Sequence, residues 1–307
     1  MKRVCTVLAV LAAVASLTAA EWVNVDQQPR NADVEGTWSA RVRISEKADG
    51  QRLPQLQLQM NVDDERSGRN WNNWGQSVPL AAFTSLPASL DAPQDVKFEL
   101  RRDAGVIRFE GRFEDGRGVG HLFFTANREF ERAMKQQTRD TFNDRELFSF
   151  ALMDVSREFV KELHALGFKT VTLEDAHKLR IHGVSTDYIA NLKAEGLQDP
   201  SLDEVLKFRI HGVTSAYVKE MRAAGLGTDL EELLKMRIHG VSTGFVRDLA
   251  ALGYRNLDAG TLVKFRIHGV TPAFITELKE SGYTQLSAAD LVDWAIHGRR
   301  LLRHKRK

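Results

Sequence analysis

The chain has 307 residues, with 43 Lys and Arg against 41 Asp and Glu, and is 43% hydrophobic and 27% charged. That length suggests about two domains, and the composition excludes a disordered chain or a multi-span membrane protein. The formal charge of +2 is unevenly laid out: setting aside Lys2, Arg3, Arg299, Arg300, Arg303, Lys305, Arg306 and Lys307 leaves 35 basic against 41 acidic residues, an acidic body that argues against a nucleic-acid-binding protein.

Residues 1–20 read as an export signal, with Lys2 and Arg3, an apolar run from Val4 to about Leu17, and small residues at Thr18 and Ala20 before Glu21. An uncleaved amino-terminal anchor is the alternative. The single cysteine, Cys5, falls inside this segment. The exported chain would therefore lack disulfides, a thiol nucleophile and thiolate metal ligands. The expected location is periplasmic or secreted, and residues 21–34 are expected to form a linker.

From residue 35 to 126 the apolar period is two. Trp38, Ala40, Val42 and Ile44 alternate with polar residues, as do Leu56, Leu58, Met60 and Val62, and each run predicts a half-buried strand. Val96–Leu100 and Val106–Phe113 flank Asp103-Ala104-Gly105, a hairpin signal, and Asp115-Gly116 turns the chain into Val119–Phe124. These three strands, with two or three earlier ones, predict a small antiparallel β-sandwich or partly open barrel. Gly36-Thr37-Trp38 is similar to the Gly-x-Trp opening of lipocalins, although the domain is too short for their usual eight long strands. The Gly116–Gly120 run lacks the Gly-Lys-Ser/Thr of a phosphate cradle and reads as a turn. Trp71 and Trp74 sit in a polar stretch, Asn70–Gly75. Loop indoles there would stack on a sugar or peptide, or close one end of the sandwich.

Residues 127–299 carry an internal repeat. Arg-Ile-His-Gly-Val occurs at Arg180, His182, Gly183; at Arg209, His211, Gly212; at Arg237, His239, Gly240; and at Arg266, His268, Gly269, with an altered copy at Ala295–Gly298. The spacings of 29, 28, 29 and 29 residues mark a repeat array. Each copy predicts two short helices. The first starts at Ser156, Ser185, Thr214, Ser242 or Thr271 and stops at Gly167, Gly196, Gly225, Gly253 or Gly282. The second starts at Thr172, Ser201, Asp229, Asp258 or Ser287 and stops at Gly183, Gly212, Gly240, Gly269 or Gly298. Acids three residues on complete an approximate capping box in four of these five. The register extends back to a degenerate copy starting at Asn127, where Thr138 and Asp154 replace the stop glycines. The starts are thus 127, 156, 185, 214, 242 and 271, and the fold class is α+β, a β domain followed by an α-solenoid of six helical hairpins, with a basic tail at 300–307. A lone hairpin of this size orders more chain than its core supports, so the copies must stack.

Five histidines share one register (His182, His211, His239, His268, His297), but successive rungs of stacked helices lie about 10 Å apart, too far to share one zinc. No metal is expected. Each ring instead precedes a stop glycine, where it can bond a helix-end carbonyl, with joint titration in acid as a lesser role. Lys178, Lys207, Lys235 and Lys264, with the signature arginines, form either a basic stripe for an anionic polymer or last-turn complements to the helix dipoles. No catalytic motif or cofactor site is evident. Asp187, Asn191, Lys219, Arg222, Arg247 and Lys279 vary between copies and are candidate contacts, together with Trp71 and Trp74.

The repeat, for example Arg266-Ile-His-Gly-Val-Thr-Pro-Ala-Phe-Ile, resembles tandem repeats in bacterial envelope proteins, including those appended to membrane metallopeptidases of the beta-lactam-sensor type. The peptidase signature of those enzymes is absent here, so the resemblance implies an extracytoplasmic interaction region. Ile-His-Gly-Val-Ser/Thr is also similar to helix-hairpin-helix DNA-binding units, with Ser or Thr in place of their second glycine. The expected function is a non-enzymatic binding or scaffold protein of the envelope, engaging a protein or an anionic envelope polymer. The alternatives are a DNA-binding protein and an accessory subunit of an envelope metallopeptidase system.

Overall fold

The computed structural model describes residues 32–46, 52–62, 73–138, 141–197, 199–226 and 229–298. The expected signal, Trp71 and the basic tail lie outside the described residues. The fold is α+β. Seven antiparallel strands are followed by twelve α-helices among the described residues. The strands are β1 (Val34–Glu46), β2 (Arg52–Val62), β3 (Asn73–Pro79), β4 (Phe83–Thr84), β5 (Gln94–Arg102), β6 (Gly105–Glu114) and β7 (Arg117–Ala126). They form one sheet in the order β3-β2-β1-β7-β6-β5-β4, a curled half-barrel instead of two packed sheets. Its curl follows from chain length. β3 and β4 are opposite edges, yet only Leu80–Ala82 separates them. Four Cα steps reach about 15 Å at most, whereas flat edges six strands apart would be about 29 Å apart.

Alternation puts Trp38, Leu56, Leu58, Met60, Phe98, Phe109 and Phe113 on the concave face, all buried. Trp38 meets Phe98 and Phe109 edge-on at 5.6 and 5.9 Å, and its indole N–H donates to the His121 carbonyl at 3.0 Å. The ring overlies the paired glycines Gly111 and Gly120, where a methyl group would collide with the facing strand's backbone. The Gly116 run is a two-residue hairpin turn with φ of 49° at Asp115 and 68° at Gly116, as the sequence implied. β3 and β4 carry no clean alternation and were not individually expected.

The first helices are α1 (Arg128–Thr138) and α2 (Asp144–Leu152). Leu147 to Leu152 are six consecutive buried residues of α2, because neighbours enclose this helix on both sides. Phe148 packs edge-on against Phe124 and Trp74 of the sheet at 5.6 and 6.2 Å. Phe150 turns the other way, to His177 at 5.3 Å. One hydrophobic core therefore runs from Val34 through α2 to Val205, and a second from Leu192 to Ala295. The change from strand to helix near residue 126 is not a break in packing. Asp103, in the β5–β6 turn, accepts hydrogen bonds from the Arg157 guanidinium and backbone N–H, at 2.7 and 2.8 Å for the shortest of each.

Five copies follow as α3 (Arg157–Ala165) with α4 (Leu173–Ile181), α5 (Thr186–Ala194) with α6 (Leu202–Ile210), α7 (Ser215–Ala223) with α8 (Leu230–Ile238), α9 (Thr243–Ala251) with α10 (Ala259–His268), and α11 (Pro272–Glu280) with α12 (Ala288–Asp293). Each expected start residue caps its helix, from Asn127 and Asn143 to Thr271 and Ser287. Full capping boxes form at Asn143, Thr172, Ser201 and Ser287. At Asp229 the carboxylate takes the Glu231 and Glu232 N–H groups alone, so the expected box with Glu232 is only half made. The glycine stops are left-handed, with φ of 68° at Gly183, and the Val184 N–H closes back on the Leu179 carbonyl at 2.8 Å. In the degenerate copy Asp154 takes that conformation, φ 58°. Gly298 does not act as such a stop. It ends a π-helical turn, Trp294–Gly298, with the Trp294 ring lying where a side chain would go. Helices of like rank are in contact: α3 with α5, α5 with α7 and α9 with α11 among the first helices, and α4, α6, α8, α10 and α12 in series among the second.

A chain ending at Val213 keeps every residue of the first core, whereas one ending at Ala126 strips α2 from the sheet. The longer fragment is expected to unfold cooperatively by circular dichroism and the shorter to aggregate or be degraded. A stably folded 1–126 fragment would contradict the shared core.

Candidate interaction surface

The signature arginines are spent on stacking. Arg180 lies over the Phe159 ring at 4.6 Å, donates from Nε to the Asp154 carbonyl at 2.9 Å and pairs with the Asp154 carboxylate at 2.7 Å. Arg209, Arg237 and Arg266 lie over Tyr188, Tyr217 and Phe245 at 5.1–5.2 Å. Arg209 and Arg266 donate to the His182 and His239 carbonyls at 3.4 and 3.2 Å, capping the second helix of the preceding copy. Tyr188 and Tyr217 donate to the carbonyls of Val213 and Val241 at 2.6 and 3.0 Å. Burial pushes both phenols up to about 12, the nearby Arg209 and Arg237 working the other way.

A second row caps the first helices. Lys193 donates to Leu166, Arg222 to Gly196 and Lys279 to Leu252, at 2.6, 3.1 and 2.6 Å. Two of the candidate contacts, Arg222 and Lys279, are thus committed to stacking; their variation between Lys and Arg preserves a cation and concealed that role. The row is broken at Ala250, and the end of α7 borders a groove lined by Gly196, Leu197, Arg222, Gly225, Leu226, Asp229 and Leu230. Asp187, Asn191, Lys219 and Arg247 are exposed on the first helices. Trp74 is not a loop residue. It stands on β3, partly buried against Phe148.

The basic stripe is weaker than its count. Lys178 and Lys235 pair with Glu174 and Glu231, each at 2.7 Å, while Lys207 and Lys264 remain exposed. The rings of His182, His211 and His239 are exposed, and among the described residues none bonds a helix-end carbonyl. Backbone N–H groups and, at His182 and His239, the next copy's arginine occupy that place. His297 lies 3.6 Å from Asp293.

The residues missed by pattern reading are the signature isoleucines. Ile181, Ile210, Ile238, Ile267 and Ile296 are 49%, 53%, 49%, 55% and 49% exposed. They look like core residues in the sequence. A helical wheel separates them, because Leu173, Ala176 and Leu179 form the buried face of α4 and Ile181 lies about 200° round from Leu179 at 100° per residue. The result is one exposed apolar side chain per copy, at one register, beside a histidine.

A buried Ser–His pair also went unforeseen. Ser149 on α2 is 2.6 Å from the His177 Nε2 on α4, and Ser149 is only 3% exposed. Burial pushes the His177 pKa down, against a smaller opposing pull from Glu146. Such a sealed hydroxyl joins two helices and cannot meet a substrate. Comparison of the chain with protein-family models, with curated proteins and with solved structures finds no match.

Two outcomes follow from this geometry. Ala250→Lys restores the missing cap on α7 and is expected to add about 0.3–1 kcal/mol of stability, read as a higher Tm. Ala251→Lys, one position round the helix, should add less. Because the folded state holds His177 below its ordinary value, its contribution is complete above about pH 6.5 and is lost as pH falls towards the depressed folded value. Urea unfolding from about pH 7 to 5 should show a flatter stability loss for His177→Gln than for the native chain.

Proposed function

We propose that this protein is an exported, non-enzymatic interaction scaffold of the bacterial envelope that engages a protein partner along the edge of its helical repeats. The observation that carries this reading is the row of half-exposed isoleucines, one in every signature copy. The fold has no use for them. Leu179 and Val184 close the end of α4, Arg180 joins it to the preceding copy, and the buried faces are already filled. An apolar residue left in water at a fixed repeat register suits a surface covered by another molecule.

A protein suits that surface better than an anionic polymer, since the signature arginines lie on aromatic rings and two of the four lysines are paired. DNA fits less well. The hairpin N–H groups that would approach a phosphate already bond inside the protein, Gly183 to the Arg180 carbonyl and Val184 to that of Leu179. Export rests on the sequence of residues 1–20, and the envelope setting on the resemblance of the repeats to those of envelope proteins.

The test is crosslinking and pull-down from the native envelope with the native chain and with Ile210→Ser, Ile238→Ser. Both side chains are exposed, so the double variant is expected to fold normally and to lose the crosslinked proteins. Retention of the chain in the cytoplasm, with co-purifying nucleic acid released steeply by salt, would overturn the reading.

A further inference from the structure

We propose that the isoleucine ridge seats an acidic amphipathic helix, a partner segment with an apolar side chain at every seventh position and carboxylates beside it. This inference rests on the protein-scaffold reading and specifies the chemistry of the partner.

Shape comes first. Ile181, Ile210 and Ile238 close α4, α6 and α8, Ile267 lies in the last turn of α10, and Ile296 in the turn after α12. These second helices touch one another in series, and helices in contact lie about 8–10 Å apart. The ridge is therefore a single file with a rung roughly every 10 Å. Seven residues of α-helix rise about 10.5 Å, so a heptad repeat keeps pace with it. An extended strand rises about 10 Å in three residues, but its third residue faces the opposite side. A polyproline helix returns to the same face every three residues, about 9.3 Å, but turns its other side chains away from the ridge.

Charge selects among partners. Each second helix from α4 to α10 ends with a lysine and an arginine, but the arginines lie on aromatic rings and Lys178 and Lys235 pair with Glu174 and Glu231. The cations open to a partner are therefore Lys207 and Lys264, on alternate rungs, which make no ion pair among the described residues. On the adjoining first turns Asp187 is the one acidic residue, while Ser215-Ala216, Thr243-Gly244 and Pro272-Ala273 are uncharged; the carboxylates of Glu162 and Glu220 reach two of these turns and are held there by the Thr186 and Thr243 hydroxyls. A ridge of isoleucine flanked by the open lysines Lys207 and Lys264 complements apolar residues flanked by carboxylates. A second copy of the chain would set bases against bases, and a membrane would meet a line instead of a plane.

The experiment uses the full chain and three probes. The first is a labelled helical peptide of about 30 residues with Leu at every seventh position and Glu at the flanking positions. The second is its twin with Lys for Glu, and the third is vesicles of phosphatidylglycerol. By fluorescence anisotropy the Glu peptide is expected to bind at least about tenfold more tightly than the Lys twin. Ile210→Ser, Ile238→Ser should weaken it by about tenfold or more without changing the thermal melt. Lys207→Glu, Lys264→Glu should weaken the Glu peptide and favour the Lys twin. Equal or tighter binding of the Lys twin, full affinity in the serine variant, or vesicle binding without peptide preference would overturn the proposal. If the serine variant loses its envelope partners while the peptides are bound alike, the scaffold reading stands and the acidic helix falls. If both measurements are unaffected, both fall.

Discussion

A nine-residue α-helix is too short to hold itself together in water, where isolated helices below about 12–15 residues are marginal. Most helices here have that length, and the rest of the repeat array answers this limitation. Each helix leaves four N–H and four C=O groups without internal partners, a large fraction of its backbone. The amino ends are served locally, by a Ser, Thr, Asp or Asn in every copy. Half of the carboxyl ends draw on the next copy, through Arg180, Arg209 and Arg266 for the second helices and Lys193, Arg222 and Lys279 for the first. Such cations are half of a reciprocal arrangement. A copy without a successor keeps open carbonyls, which is why cohesion has to run from copy to copy.

The half-barrel gives the array a beginning. Its first copy is degenerate because α2 has two neighbours where the other second helices have a solvent face. One side must match the sheet through Phe148, the other must match α4 through Phe150 and the Ser149–His177 pair. No position is left for the Lys and Arg of the signature, and Ser149 and Ala151, both buried, stand in their place. The join is then reinforced by charge. Asp154 holds both Arg102 of β5 and Arg180 of α4. Asp103 holds Arg157: burial works against its ionisation, but the Arg157 hydrogen bonds keep its carboxyl below the ordinary range. The sheet and the first copies consequently share one core.

Local chemistry was legible in the sequence and long-range chemistry was not. The caps and left-handed stops are decided within six residues, so Ser156, Ser185 and Gly183 could be placed from spacing alone. The long strands were legible for the same reason, through alternation. β3 escaped notice because Trp74 lies among Asn and Gly residues, and its partner Met60 is fourteen positions away in sequence. β4 is two residues long and carries no period. The carbonyls that Arg209 and Lys193 serve lie 27 residues upstream, so Arg209 reads in the sequence as part of a surface stripe and Lys193 carries no signal there. Ser149 and His177 are likewise 28 residues apart. Of the candidate contacts, Asp187, Asn191, Lys219 and Arg247 stand on the surface, while Arg222, Lys279 and Trp74 belong to the packing.

The exposed isoleucine follows from the same accounting. In the last turn of α4, Leu179 packs in the core, Arg180 reaches the preceding copy, His182 caps the helix and Gly183 reverses the chain. Ile181 is the position with no structural duty. A position answerable only to solubility and helix formation would take Lys, Glu or Gln, since β-branched residues form helices less readily. Inheritance by duplication does not explain its survival, because nearby positions have diverged: Thr186, Ser215, Thr243 and Pro272 occupy one register. The proposed partner surface would account for an apolar residue that persists where packing does not need it and where water disfavours it. The short helices also fix how that surface is read. Because each copy adds one rung at the spacing of two touching helices, the ridge has a pitch set by packing, and any partner that follows it must carry a matching period.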